Sequence, residues 1–170
     1  MNTTLFQIGS YFRFLISSTN QHGVHSPFLF AYLTKCLYKK RKGPYNKAEK
    51  IALKSIPYFN YRSLHLEGSF KEMEGLLNKE FGQLSFSHPP YDMVCTGQNM
   101  LSDTFLERIL PHCHNDSMIL IEGIHNSRKD LNLWESLCAD PRITVSVDYF
   151  FGGLLFLREE QAKQHFRIRI

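Results

Sequence analysis

The chain has no Cys-x-x-Cys pair, no long apolar run and almost no acid in its first third. Its four cysteines, Cys36, Cys95, Cys113 and Cys138, stand far apart. That spacing excludes a dithiol redox motif, and Cys95, in an apolar run, reads as a small hydrophobe. The expectation is a reducing, cytoplasmic setting without disulfides. The apolar stretches Met118–Ile121 and Tyr149–Phe156 fall far short of the roughly 20 residues of a membrane helix. Met1-Asn2-Thr3-Thr4-Leu5-Phe6 has no basic segment followed by an apolar one, so no secretory leader is expected. Nothing is low in complexity. With 170 residues and 43% hydrophobic content, the chain can bury a core and reads as one domain. Residues 1–60 form a helical extension and 61–170 an α/β core.

Residues 1–63 carry ten Lys or Arg against one acid, Glu49, a net +9. Residues 64–170 carry ten against fifteen, a net −5, which together give the chain's +4. The cations cluster at Lys35, Lys39, Lys40, Arg41, Lys42, Lys47, Lys50 and Lys54. Such a cluster is either a solvated face or a surface for RNA, an anionic membrane or an acidic partner.

Leu5, Phe6, Ile8, Tyr11, Phe12, Leu15 and Ile16 recur at helical spacing. Ser26 followed by Pro27 predicts a helix start, running to about Tyr38. A third helix is expected from Asn46 to Ile56, stopping before Pro57. Strands are expected at Ser63–Glu67, briefly at Leu84–Phe86, and at Asp92–Thr96, Met118–Ile121, Ile143–Asp148 and Leu154–Leu157. Helices fill Phe70–Phe81, a stretch from Ser102 or Asp103 to Leu110, and Asp130–Cys138. Gly152-Gly153 suits a tight reversal and predicts an antiparallel hairpin at a sheet edge.

Strands alternating with helices predict a mostly parallel sheet covered on both faces. Ligands of such sheets lie outside the carboxyl ends of the strands. Those ends carry Glu67, Gly68, Thr96, Gly97, Gln98, Asn99, Glu122, Gly123 and His125. From Tyr91 onward the chain reads like the second half of a nucleotide-binding α/β domain. Its first half lacks the glycine-rich loop: after Leu64-His65-Leu66-Glu67-Gly68 come Ser69, Phe70 and Lys71. Phe70 and Lys71 are expected to crowd that bend.

Three blocks carry a resemblance. They are Asn20-Gln21-His22-Gly23-Val24-His25-Ser26-Pro27-Phe28-Leu29-Phe30, Leu110-Pro111-His112-Cys113-His114-Asn115-Asp116-Ser117 on to Ile124-His125, and Val145-Ser146-Val147-Asp148-Tyr149-Phe150-Phe151-Gly152-Gly153-Leu154-Leu155-Phe156, continued by Gln161–Phe166. On these blocks the chain resembles a class I S-adenosylmethionine-dependent methyltransferase-like family found mainly in Bacteroidetes, as a shortened, motif-degenerate member. The likeness covers residues 5–56 and 91–170 well and 57–90 poorly. It implies a Rossmann-like methyltransferase sheet, shortened, with a C-terminal antiparallel hairpin and an N-terminal helical extension. Family members are longer between Arg62 and Tyr91. Either Leu64–Gly68 is the first strand and a later segment is lost, or it is the second and the glycine loop is lost. The helix-like Ile51–Tyr61 favours the first.

The resemblance implies cofactor contacts at Glu67, Gly68, Gly97 and Glu122. Glu67 is either a ribose ligand or a strand-end carboxylate in water. Where the family has acids, this chain has Thr96 and Gly123, so no metal is expected and S-adenosylmethionine binding is expected to be weak or absent. His125 is the candidate acid–base residue, or else a strand-end histidine bonded to backbone. His112-Cys113-His114 reads as a helix-terminal loop rather than a zinc site. His22 and His25 read as loop anchors or part of a lid. The leading expectation is a reduced methyltransferase-like protein with weak or absent catalysis. The alternatives are an active methyltransferase with an atypical loop, or a binding module using the basic surface. A shortened sheet would leave an edge near Leu64, covered by the N-terminal aromatic helix of the same chain or of a second copy.

Overall fold

A computed structural model describes residues 3–170. Met1 and Asn2, where the stretch read for a leader begins, lie outside them. Helix α1 (Thr3–Ser17) buries Phe6, Ser10 and Phe14, three positions four residues apart on one face. Ser26 caps α2 (Pro27–Tyr32) by accepting from the Leu29 N–H at 3.3 Å. That helix runs on as a single π turn, Leu33–Leu37. Helix α3 (Lys47–Phe59) opens on a reciprocal capping box between Asn46 and Glu49. It does not stop at Ile56 as expected. Pro57 withdraws only one N–H, close to the helix end, and Asn60 in the left-handed region (φ 57°) closes that end by donating to the Ile56 carbonyl.

The rest alternates strand and helix. Strand β1 (Ser63–Leu66) leads through a 3-10 segment, Gly68–Met73, into α4 (Glu74–Phe81). Then come β2 (Ser85–Phe86), β3 (Tyr91–Gly97), α5 (Phe105–Ile109), β4 (Cys113–Glu122) and α6 (Arg128–Ala139). The chain ends with β5 (Val145–Asp148), β6 (Gly152–Phe156) and β7 (Gln164–Arg167). The seven strands form one sheet in the order β2-β1-β3-β4-β6-β5-β7. Every pairing is parallel except those of β6 with β4 and β5. This is the mixed, mostly parallel Rossmann-like sheet with an antiparallel hairpin that the sequence implies. β1 lies inside β2 and reaches it through α4, the arrangement of a first strand followed by a second.

Alternate residues of the central strands face opposite layers. Met93, Cys95, Met118 and Leu120 pack with Leu29, Tyr32, Ile51 and Leu53 of α2 and α3. Val94, Ile119 and Ile121 pack with Phe105, Ile109, Trp134 and Leu137 of α5 and α6. Burial of both faces explains why these strands are apolar without alternation.

Four expectations are corrected. The edge near Leu64 does not exist, because β2 pairs outside β1. The Gly152-Gly153 pair is not the reversal: the chain turns at Tyr149–Phe151, and both glycines lie within β6. A Cβ at Gly152 would overlap the Ile121 carbonyl and the Tyr149 hydroxyl, and one at Gly153 the Trp134 indole. The hairpin is not at the edge either, since β7 pairs with β5 beyond it. Cys113 and His114 open β4 instead of closing a loop, and His114 Nε2 bonds Asp92 Oδ1 at 2.9 Å.

Part of the basic cluster is engaged internally. Arg41 pairs with Glu80, Lys54 donates to the Leu37 carbonyl, and Lys47 donates to that of Ile170. Among the described residues no helix is long and apolar enough to cross a membrane.

Candidate functional site

The registers Leu66↔Cys95 and Cys95↔Leu120 bring the carboxyl ends of β1, β3 and β4 level. A cleft of about 870 Å³ opens there, the place a doubly wound sheet offers a ligand. Gly68, Ser69, Gly97, Gln98, Glu122 and Gly123 form its floor, while Gln7, Ile8 and Tyr11 of α1 wall it. Asn46 and Lys47 at the start of α3 line it too, as do Phe150 and Phe151 from the β5–β6 turn. Of the residues singled out from sequence, Gly68, Gly97, Glu122 and His125 are brought together here.

Glu122 is the one carboxylate among the described lining residues. Its two oxygens accept from Asn46 Nδ2 at 3.0 Å and Ser69 Oγ at 3.2 Å. Next to it Asn126 Nδ2 donates to Gln98 Oε1 at 2.6 Å. That bond passes over Gly123 (φ 81°), where a Cβ would overlap Gln98 Oε1. Gly123, read from sequence as a lost acid, is needed for this close approach.

His125 is buried, with both ring nitrogens engaged. Nδ1 lies 2.5 Å from Ser10 Oγ and Nε2 lies 2.9 Å from Asp148 Oδ2. With Asp148 ionised, Nε2–H donates to it and the Ser10 hydroxyl donates to Nδ1. The imidazole thereby ties α1 to the end of β5. Its partners are side chains, not the backbone groups of the second sequence-based reading. Phe150 stacks on the ring at 4.8 Å between centroids and 21° between planes. Phe150 holds a left-handed φ of 71°, which costs a bulky residue about 1–2 kcal/mol. Tyr11 at 4.8 Å and Phe14 at 5.6 Å pack on it as well and hold it there. The strained residue thus sits where α1, the hairpin and the cleft meet.

Glu67 is not brought to the cleft. Its carboxylate is buried and held by Arg108 at 2.5 and 3.2 Å, by His65 Nε2 at 3.1 Å and by the Thr96 hydroxyl at 3.2 Å. Buried and fully partnered, it is not a water-exposed strand end, and it anchors α5 to β1. Burial alone would raise its pKa, but the hydrogen bonds and charges of Arg108 and His65 outweigh burial and hold it below the ordinary carboxylate range. A carboxyl depressed by folding stabilises the protein above its unfolded pKa, and loses that contribution as pH falls through the folded value. Glu67→Gln is therefore expected to cost about 1–3 kcal/mol at neutral pH. Its urea midpoint should converge on that of the native chain as the solution is acidified. A gap independent of pH would contradict the assignment.

Phe70 does not crowd the turn. Its ring is 2% exposed, packed in the core with Leu66 and Leu77. Lys71 is exposed, and neither residue lines the cleft. The backbone bends at Gly68 (φ 60°), after which Ser69 lines the floor while Phe70 turns into the core and Lys71 out to solvent. The α1 wall, Asn46, Lys47 and the Phe150–Phe151 pair were not anticipated in the site. The capping-box pattern Asn46-x-x-Glu49 is the signal that marks the α3 terminus there. For α1 no signal exists, because both of its faces are apolar. Among the described residues no three His, Cys, Asp or Glu side chains are grouped to hold a metal ion.

No family model and no curated protein matches the chain. Among solved structures it is similar to a Staphylococcus aureus protein proposed to be a caffeoyl-CoA O-methyltransferase. The match has 11% identity and a TM-score of 0.46, and covers 91% of this chain and 99% of that one.

Proposed function

We propose that this is a reduced methyltransferase-like protein, whose cleft takes an S-adenosylmethionine-type ligand weakly and which has weak or absent catalysis. The observation that carries the reading is the engagement of the candidate base, His125. Both of its ring nitrogens are in hydrogen bonds to protein side chains. A general base needs a free lone pair within reach of the acceptor's proton. Cleft size and the bare backbone at Gly68 and Gly97 fit an adenosyl group. The charge partners fit it poorly, since the carboxylate at the end of β1 serves Arg108 instead of ribose hydroxyls. Gly68 and Gly97 would lie against such a ligand, and Glu122 would accept from its hydroxyl or amine. The ligand's own contribution would be an electrophilic methyl group.

Titration with S-adenosylmethionine and S-adenosylhomocysteine, read by calorimetry or ligand-detected NMR, tests this. The expected Kd lies above about 100 μM, weaker than about −5.5 kcal/mol. Glu122→Gln should weaken the binding further, and Glu67→Gln should leave it unchanged. Tighter binding by the native chain, or loss of binding in Glu67→Gln, would favour an active enzyme using Glu67.

A further inference from the structure

A second cavity, of about 440 Å³, lies on the other side of α1. Arg13, Arg128 and Arg167 line it, against one lining carboxylate, Glu135. Among the described residues Arg13 and Arg128 enter no ion pair; Arg128 lies over the Phe6 ring at 5.1 Å. Arg167 reaches Asp148 only at 3.7 Å. The pocket therefore carries unneutralised guanidinium groups, whose planar forks suit phosphate oxygens.

Leu5 lines the same pocket and begins an apolar ridge. Leu5, Ile8, Phe12 and Ile16 follow at spacings of three and four, which aligns them along the face of α1 opposite Phe6, Ser10 and Phe14. They are 66%, 50%, 61% and 86% exposed. A ridge of this kind marks an interaction surface. An apolar helix face next to a cationic pocket supplies the two signals, insertion and charge, that membrane attachment needs together.

We propose that α1 and the arginine pocket dock on an anionic phospholipid surface, with a headgroup phosphate on Arg13, Arg128 and Arg167 and the ridge among the acyl chains. The docking requires no ligand in the cleft. The test is co-sedimentation of the full chain with phosphatidylglycerol–phosphatidylcholine vesicles and with phosphatidylcholine alone. Retention is expected on the anionic vesicles only, falling as salt rises. Arg13→Gln with Arg128→Gln should weaken it about 30-fold. Phe12→Gln with Ile16→Gln should weaken it about tenfold. All four side chains are exposed, so unchanged circular dichroism should accompany both losses. Equal retention on neutral vesicles, or no effect of the arginine pair, would overturn the proposal. So would inorganic phosphate shifting the NMR signals of Arg13 and Arg128 without vesicle binding, which would mark a free anion as the ligand. A dimer in light scattering that Phe12→Gln dissociates, with no vesicle binding, would assign the ridge to a second copy instead.

Discussion

Replacing His125 with alanine is expected to cost about 3 kcal/mol of stability and to loosen α1. The ring bridges Ser10 and Asp148 inside the protein, and its removal leaves two buried polar groups short of a partner. Breaking a buried pair from one side costs about 3–5 kcal/mol. Here the cost falls at the low end. Asp148 keeps the Phe150 N–H at 2.8 Å and the more distant Arg167, and so is not fully orphaned. Phe150 loses the plane it stacks on, so its left-handed backbone is less well held. Urea unfolding should show the loss, and trypsin should cut sooner after Arg13. A variant with native stability and native resistance at Arg13 would mean that the Ser10–His125–Asp148 array does not hold α1 in place.

Gly152→Ala is expected to be the most damaging single methyl group in the sheet, at roughly 4 kcal/mol. Two of its new contacts differ in how they yield. The Tyr149 side chain has some freedom, although its hydroxyl is buried without a partner. The Ile121 carbonyl is main chain of the central strand and has none. Relief requires β6 to move off β4, and with it the Glu122↔Gly152 pairing beside the cleft. Overpacking of a deformable core costs about 1–3 kcal/mol, and a backbone obstacle exceeds that. Gly75 in α4 is the control, because a Cβ there meets nothing within 4 Å. Gly75→Ala should leave stability unchanged or raise it by up to about 1 kcal/mol. Equal midpoints for the two variants would refute the steric account.

The parallel core was legible because burial on both faces writes itself as unbroken apolar runs, as at Met93–Cys95 and Met118–Ile121. The hairpin was legible in kind but not in place. A glycine pair reports missing side chains, and sequence alone does not tell a turn from a strand on which Trp134 lies flat. Strand β7 was missed because Gln164–Arg167 is polar and half exposed, with only Phe166 turned inward. Gly68, Gly97, Glu122 and His125, singled out by position alone at the ends of predicted strands, line the cleft. Glu67 shared that position, but its side chain leaves on the opposite face, a choice that Arg108, forty-one residues on, decides. Phe70 was misjudged for the same reason: proximity in sequence to a bend says nothing of which way a ring points after a positive φ.

Helix α1 is a partition with a chamber on either side. Ile8 and Tyr11 face the strand-end cleft, Ser10 and Arg13 face the cationic hollow, and His125 borders both. No occupant can displace this partition for its own benefit alone. Whatever shifts α1 towards one chamber widens the other, so the free energy by which a guest in the first alters affinity in the second is returned, equal in size, when the order of filling is reversed.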